Sequence, residues 1–305
     1  ILGILCLLGA IICVIFTIIY FANNKTHKYS WLIAFFICLI GLVTCIFLFV
    51  TKTIRRVENF VREPFEQLYS DSLQRVSNKE AQIKLFNGGL TIIATIDTEI
   101  QAMVEETFKN TKLFPESVED ENGILQPEAA AIIIENGTGE IKAVMGGRSE
   151  KVRRGLNRAT QSLRQPGSTI KPLSVYAPAL DNGYTAGTVI DDAPVVFGNF
   201  KPRNYSFNFK GLVTVREALK HSTNVVAVKI LQDVGIQRSM EYLKKFGITT
   251  LVTRDDNGVT NDESLSPLAL GGVTNGVKPI EMAAAFSVFP NKGIYIKPIS
   301  FTKIL

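Results

Sequence analysis

Arg164-Gln165-Pro166-Gly167-Ser168-Thr169-Ile170-Lys171-Pro172 sets a hydroxyl and an amine one helical turn apart, directly behind a turn signal. A serine hydroxyl is a weak nucleophile at neutral pH and needs a neighbour to take its proton. A lysine can do so once burial or a nearby charge pushes it toward the neutral amine. Positions i and i+3 share a helix face, so Lys171 is expected to reach Ser168 without help from the rest of the chain. Pro166 and Gly167 allow a sharp turn that puts Ser168 at a helix N-terminus, where free N–H groups favour a developing oxyanion. Pro172 works against this, because the residue before a proline is biased away from helix unless the proline falls in the first turn. On spacing alone, a solvated serine beside a surface lysine is the commoner reading. Ser168 as nucleophile and Lys171 as its base therefore need support from elsewhere in the chain.

The chain has 305 residues, enough for one large domain or two smaller ones. Its hydrophobic fraction of 46% is high for a soluble protein and points to a local cause. The net charge of +5 comes with no basic run interleaved with aromatics that would suggest a nucleic-acid partner. Cys6, Cys13, Cys38 and Cys45 all lie inside apolar runs and read as small buried hydrophobes, not as disulfides or metal ligands. With only His27 and His221 besides, a zinc site would have to be built from carboxylates, and no metal is expected.

The local cause of the hydrophobicity is at the start. Residues 1–21 and 31–50 are apolar runs without a charge, each long enough to cross a bilayer as a helix, and two transmembrane helices are expected there. Tyr20, Tyr29 and Trp31 sit at the run ends, where aromatic belts form. Lys25 and Lys28 in the linker are outweighed by Lys52, Arg55 and Arg56 beyond the second run, so the charge bias favours a cytoplasmic C-terminal side. Residues 51–87 read as a helical connector, with Val57, Phe60, Val61, Phe65 and Leu68 at helical spacing around Pro64.

From residue 88 the pattern becomes that of a mixed α and β domain. Gly88 and Gly89 break the connector, and the β-branched run 90–96 reads as a strand. Asp97 is a plausible N-cap for a helix carrying Ile100, Met103, Val104 and Phe108 on one face. Residues 129–134 and 141–144 form two apolar runs around Asn136 and Gly137, a strong hairpin signal. Thr214 and Glu217 have capping-box spacing ahead of a helix that reaches Ser222 and Asn224, which stand at the junction of two helical pieces. On local grounds that pair is as readily a second N-cap as a functional site. An amphipathic helix is expected over 239–246, a polar surface turn over 255–258, and a helix over 280–289 behind Pro279.

Taken together, several stretches resemble one family. Residues 88–97, then Asn157 to Gln161 running into residues 164–172, then residues 213–219 running into Ser222, Thr223 and Asn224, are similar to the transpeptidase domain of class A penicillin-binding proteins. Asn204, Tyr205 and the stretch 268–277 look like further signatures of it. The resemblance covers roughly residue 60 onward and is in order along the chain, and it turns Ser168 and Lys171 into the favoured catalytic pair. It implies an α+β, β-lactamase/transpeptidase-like fold over 88–305, a mostly antiparallel sheet flanked by helices. It also implies acyl transfer between peptidoglycan stem peptides. Ser168 would attack the D-Ala-D-Ala carbonyl, Lys171 would take its proton, Ser222 would relay a proton to the leaving D-alanine, and Asn224 would hold the bound peptide. β-Lactams would acylate Ser168 in imitation of the substrate, and no metal or organic cofactor is called for. The implied setting is the bacterial cell membrane with the domain outside, in contact with membrane lipid, a separate glycosyltransferase and other wall-synthesis proteins. That placement conflicts with the charge bias unless a further span precedes residue 1.

Two departures from the family pattern bear on activity. The family's Lys-Thr-Gly motif is absent, and with it an oxyanion donor whose loss costs about two to three orders of magnitude in rate. The connector is also too short to hold the polymerising domain of class A proteins. The sequence is therefore expected to be a truncated, inactive piece of a membrane-anchored transpeptidase. A D,D-carboxypeptidase or β-lactamase-like hydrolase, and a non-catalytic penicillin-binding scaffold or sensor, stay open beside it.

Overall fold

The structure, a computed structural model, describes residues 78–121, 123–148, 155–257 and 260–305. The two expected membrane runs and most of the connector lie outside the described residues. Among the described residues no helix is long and apolar enough to cross a membrane. The chain divides into two compact units, residues 1–91 and 92–305. Of the first, the described residues 78–91 hold α1 (Asn78–Asn87). It ends where the Gly88 N–H bonds the Lys84 carbonyl at 2.9 Å. A Cβ at Gly88 would collide with that same carbonyl, so only glycine ends the helix this way.

The second unit opens with β1 (Ile92–Ala94), shorter than the expected strand, and α2 (Thr98–Lys109). The Asp97 carboxylate accepts the Glu99 and Ile100 N–H groups at 2.9 and 3.0 Å, the cap foreseen from sequence. A short ribbon, β2 (Val118–Glu119) and β3 (Leu125–Gln126), precedes the hairpin of β4 (Ala131–Ile134) and β5 (Ile141–Met145). That hairpin pairs Ala131 with Met145 and turns through Asn136 and Gly137, whose φ is +89°. Residues 167–181 then form one helical run in three windings: a 3-10 turn Gly167–Ile170, a π turn Pro172–Tyr176, and α3 (Ala177–Asp181). Pro172 has no N–H to continue the ladder. The run absorbs it by re-registering, so that Ala177 N–H bonds the Pro172 carbonyl.

β6 (Val189–Asp192) and β7 (Gly211–Thr214) pair antiparallel, and Thr214 Oγ1 caps α4 (Val215–Lys220) by accepting the Glu217 N–H at 3.2 Å. α5 (Asn224–Val234), α6 (Ile236–Lys245), the single turn α7 (Arg254–Asn257), α8 (Leu265–Leu270), α9 (Pro279–Ser287) and β8 (Phe301–Ile304) complete the unit. The helix expected from 239 starts earlier because Gly235, at φ +91°, ends α5 and begins α6 in one residue. The turn expected over 255–258 winds into α7 instead.

α5 is the axis of the helical core. Val225, Val226, Ala227, Val228, Ile230 and Leu231 are fully buried, so this helix is apolar nearly all round. β-Branched residues are indifferent helix formers, and burial against the 167–181 run, α6 and α8 overrides that preference. β1 pairs antiparallel with β8, and β5 joins them: Thr95 Oγ1 donates to the Ile141 carbonyl at 2.8 Å, and the Ile141 N–H to the Ile299 carbonyl at 2.9 Å. All four strand pairs among the described residues are antiparallel, giving the expected α+β class.

Candidate active site

Ser168 sits in the first turn of the 167–181 run and is exposed. Neither its hydroxyl nor its N–H has a hydrogen-bond partner among the described residues, as suits an N–H in a first helical turn. Lys171 lies on the next turn, its N–H bonded to the Ser168 carbonyl, and is 1% exposed. No hydrogen bond joins its amine to Ser168. The amine lies 2.7 Å from the Ser222 carbonyl, 3.0 Å from Ser222 Oγ and 2.6 Å from Asn224 Oδ1. The four residues singled out from sequence thus share one locus, with Lys171 at its centre.

Those three contacts constrain the proton inventory. The Ser222 carbonyl can only accept, and Asn224 Oδ1 can only accept. The Asn224 amide is fixed in that sense by its Nδ2, which donates to the Arg203 carbonyl at 2.9 Å. A neutral amine has two N–H bonds and one lone pair, so these obligate acceptors consume both donors. The lone pair is then left for a hydroxyl proton, the vacancy that a general base needs. Burial lowers the Lys171 pKa to about 8, which brings the neutral amine within reach near physiological pH.

Ser222 is held for this contact at a price in backbone strain: its φ is +53°, a left-handed conformation that non-glycine residues seldom adopt. Its own N–H bonds the Leu219 carbonyl at 3.0 Å at the end of α4. Neither Ser222 nor Asn224 caps α5. Thr223 occupies the N-cap position without a side-chain bond, and the Val225 N–H is accepted instead by Asn204 Oδ1 at 3.1 Å. The cap reading of the pair therefore fails, since the capping group comes from another segment.

Asn204 is in turn held by Asp192, a group that the sequence reading passed over. Asp192 is buried at the end of β6, and its carboxylate accepts Asn204 Nδ2 at 2.8 and 3.1 Å and the Lys210 N–H at 2.9 Å. The bracing runs from Asp192 through Asn204 to the first turn of α5, and from Arg203 to Asn224 and so to Lys171. The only sequence signal was a doubled aspartate closing a β-branched run. Asp192→Ala leaves the Lys210 N–H without its acceptor and the Asn204 amide with only the Asn208 carbonyl, at 3.0 Å. It is expected to destabilise the fold by about 2–4 kcal/mol, readable as a lowered midpoint in chemical denaturation.

The turn that carries Ser168 is clamped from the other side by residues 268–277. Arg164 exchanges backbone bonds with Val277 at 2.8 and 3.0 Å, and the Gly167 N–H reaches the Gly271 carbonyl at 3.3 Å. Gly271 has φ +78°, and a side chain there would strike the Gly167 carbonyl. At Gly276 a Cβ would lie 2.7 Å from the Arg164 carbonyl carbon. Ser174 Oγ adds a bond to the Leu268 carbonyl at 2.6 Å. The glycines in this stretch thus allow a close backbone approach that fixes where Ser168 points.

The family described as "Penicillin binding protein transpeptidase domain" matches residues 129–304. Penicillin-binding protein 1A of Clostridium tetani is 37% identical over 265 residues, covering 81% of this chain and 33% of the relative. Penicillin-binding protein 1F of Bacillus subtilis is 33% identical over 264 residues, covering 84% and 34%. The chain thus spans about one third of the length of the curated relatives it matches. Among solved structures, the PonA1 protein from Mycobacterium tuberculosis in complex with penicillin V aligns with a TM-score of 0.65 at 21% identity, over 82% of this chain and 62% of that one, a likeness of fold.

Proposed function

This chain belongs to the penicillin-binding protein transpeptidase family, and on that premise we propose that it carries the acylating centre of a peptidoglycan D,D-transpeptidase. The observation that supports this most is Lys171, a buried amine one turn beyond an exposed and unpartnered serine, with its pKa lowered to about 8 and its amine set between Ser222 and Asn224.

In this reading Ser168 Oγ attacks the carbonyl carbon of the penultimate D-alanine of a stem peptide. The new C–O bond forms as the hydroxyl proton passes to the neutral Lys171 amine. The oxyanion forms beside the Ser168 N–H, which is free to donate to it. Collapse breaks the C–N bond, and the proton reaches the departing D-alanine nitrogen through Ser222 Oγ, 3.0 Å from Lys171 Nζ. An amine of a second stem peptide then attacks the acyl ester; its proton passes through the Lys171 amine to the departing Ser168 oxygen, which returns the serine and closes a cross-link. Asn224 uses one amide N–H on Arg203 and keeps the other for a peptide carbonyl of the substrate. A β-lactam follows the first half of the path, its ring amide opening onto Ser168. We place the centre outside the bacterial cell membrane, served by a partner that supplies glycan strands.

The test is mass spectrometry of the intact protein after treatment with penicillin. A penicilloyl group is expected on the peptide that contains Ser168. An adduct on another residue, or none, overturns the assignment.

A further inference from the structure

Between β6 and β7 the chain extends a long arm, residues 193–210, whose base and tip differ sharply. The base is fixed by paired backbone bonds of 2.9 Å between Phe197 and Phe200 and by the buried Asn204 amide on Asp192. Beyond Asn204 every residue through 210 is exposed: Tyr205 is 98% exposed and Phe207 73%. Phe207 stands at φ +58°, held there by its own N–H on the Asn204 carbonyl at 3.0 Å. Three aromatic rings therefore alternate along the tip, at Tyr205, Phe207 and Phe209.

The arm is also cationic. The side chains of Lys201, Arg203 and Lys210 have no acidic partner among the described residues, and the sequence has no carboxylate from 193 through 216. A cluster of exposed rings of this kind marks an interaction surface, and unpaired cations beside it call for an anionic occupant. The arm is contiguous with the catalytic locus. The Arg203 carbonyl receives Asn224 Nδ2 at 2.9 Å while Asn224 Oδ1 lies 2.6 Å from the Lys171 amine.

Resting on the transpeptidase reading, we propose that this arm binds the incoming acceptor, an uncross-linked glycan strand with its carboxylate-bearing stem peptides. Sugar rings present apolar C–H faces that stack on Tyr205, Phe207 and Phe209, and the stem-peptide carboxylates pair with Lys201, Arg203 and Lys210. One occupant thereby satisfies both the rings and the charges. An anionic lipid surface also attracts aromatic and basic residues, but it gives no reason for the arm to be tied to Asn224. The arm thus acts as a specificity surface for the second substrate.

The experiment titrates soluble uncross-linked glycan–peptide strands against the intact protein and two variants, Tyr205→Ser/Phe207→Asn and Lys201→Ala/Lys210→Ala. Vesicles of phosphatidylglycerol are titrated in parallel, and penicillin acylation of Ser168 is timed in each protein. Each variant is expected to bind strands about tenfold more weakly or worse, with the acylation rate within about twofold of the parent's. The lysine variant should also lose part of the salt dependence of strand binding. Unchanged strand affinity in both variants overturns the proposal, as does a loss confined to vesicle binding, which would assign the arm to lipid. If penicillin fails to acylate the parent, the transpeptidase reading falls, and the strand titration still judges the arm separately.

Discussion

Ser168→Ala is expected to abolish covalent labelling of the intact protein by a fluorescent penicillin, with the thermal midpoint within about 2 °C of the parent's. The two halves of this expectation have separate grounds. Loss of labelling follows because the ester oxygen is the serine's own, and the other hydroxyl of the locus, Ser222 Oγ, is held against the Lys171 amine. Retained stability follows because the hydroxyl is exposed and makes no hydrogen bond among the described residues, so its removal leaves no buried group unsatisfied. The helical run around it depends on Ile170, Leu173 and Val175, all fully buried, and on Ser174, not on Ser168. Labelling that persists in Ser168→Ala would remove the serine from the mechanism. A large fall in the thermal midpoint would show instead that the hydroxyl has a structural role.

The parts of this molecule that were legible in its sequence are those fixed by near neighbours. Asp97 caps α2 and Thr214 caps α4 because a short side chain at the N-cap needs only the next three residues to find its donors. The β4–β5 hairpin follows from Asn136 and Gly137 in the same way. At residues 164–172 the sequence set Ser168 and Lys171 one helical turn apart, as observed, but it did not foresee the other groups that hold the amine. These are oxygens 51 and 53 residues away, on Ser222 and Asn224. No periodicity reports such a contact. It depends on α5 packing against the 167–181 run, a consequence of the buried residues 225–231. Asp192 was missed for a related reason: its partners Asn204 and Lys210 lie 12 and 18 residues on, across an irregular arm. Pro172, which counted against a helix, is accommodated by the π turn, a change of winding that residue preferences do not foresee.

Lys171→Met is expected to slow penicillin acylation of Ser168 by about two to four orders of magnitude, the contribution of a positioned general base. Methionine nearly preserves the volume of this buried side chain, so the loss reports the amine and not a cavity. The pH dependence separates a base from a mere anchor. Below about 8, the pKa that burial gives Lys171, most of the enzyme holds an ammonium that cannot take a proton. Acylation by the parent should therefore rise about tenfold per pH unit up to that point and level off above it, whereas the residual rate of Lys171→Met should lack this limb.

Stability supplies an independent reading of the same group. A lysine whose folded pKa is lowered from 10.5 to about 8 burdens the folded state with the full cost of a buried ammonium below about 8. Between those two values the unfolded chain binds more protons, so the parent gains stability as pH rises through the window, and above 10.5 the burden is gone. Lys171→Met should lack this gain, so the difference in unfolding free energy between parent and variant should shift steadily toward the parent from pH 8 to pH 10.5. A difference that stays flat across that window would mean that Lys171 is not desolvated as its burial requires. A parent acylation rate indifferent to pH below 8 would mean that its proton transfer runs through another group, with Ser222 then the nearest hydroxyl to examine.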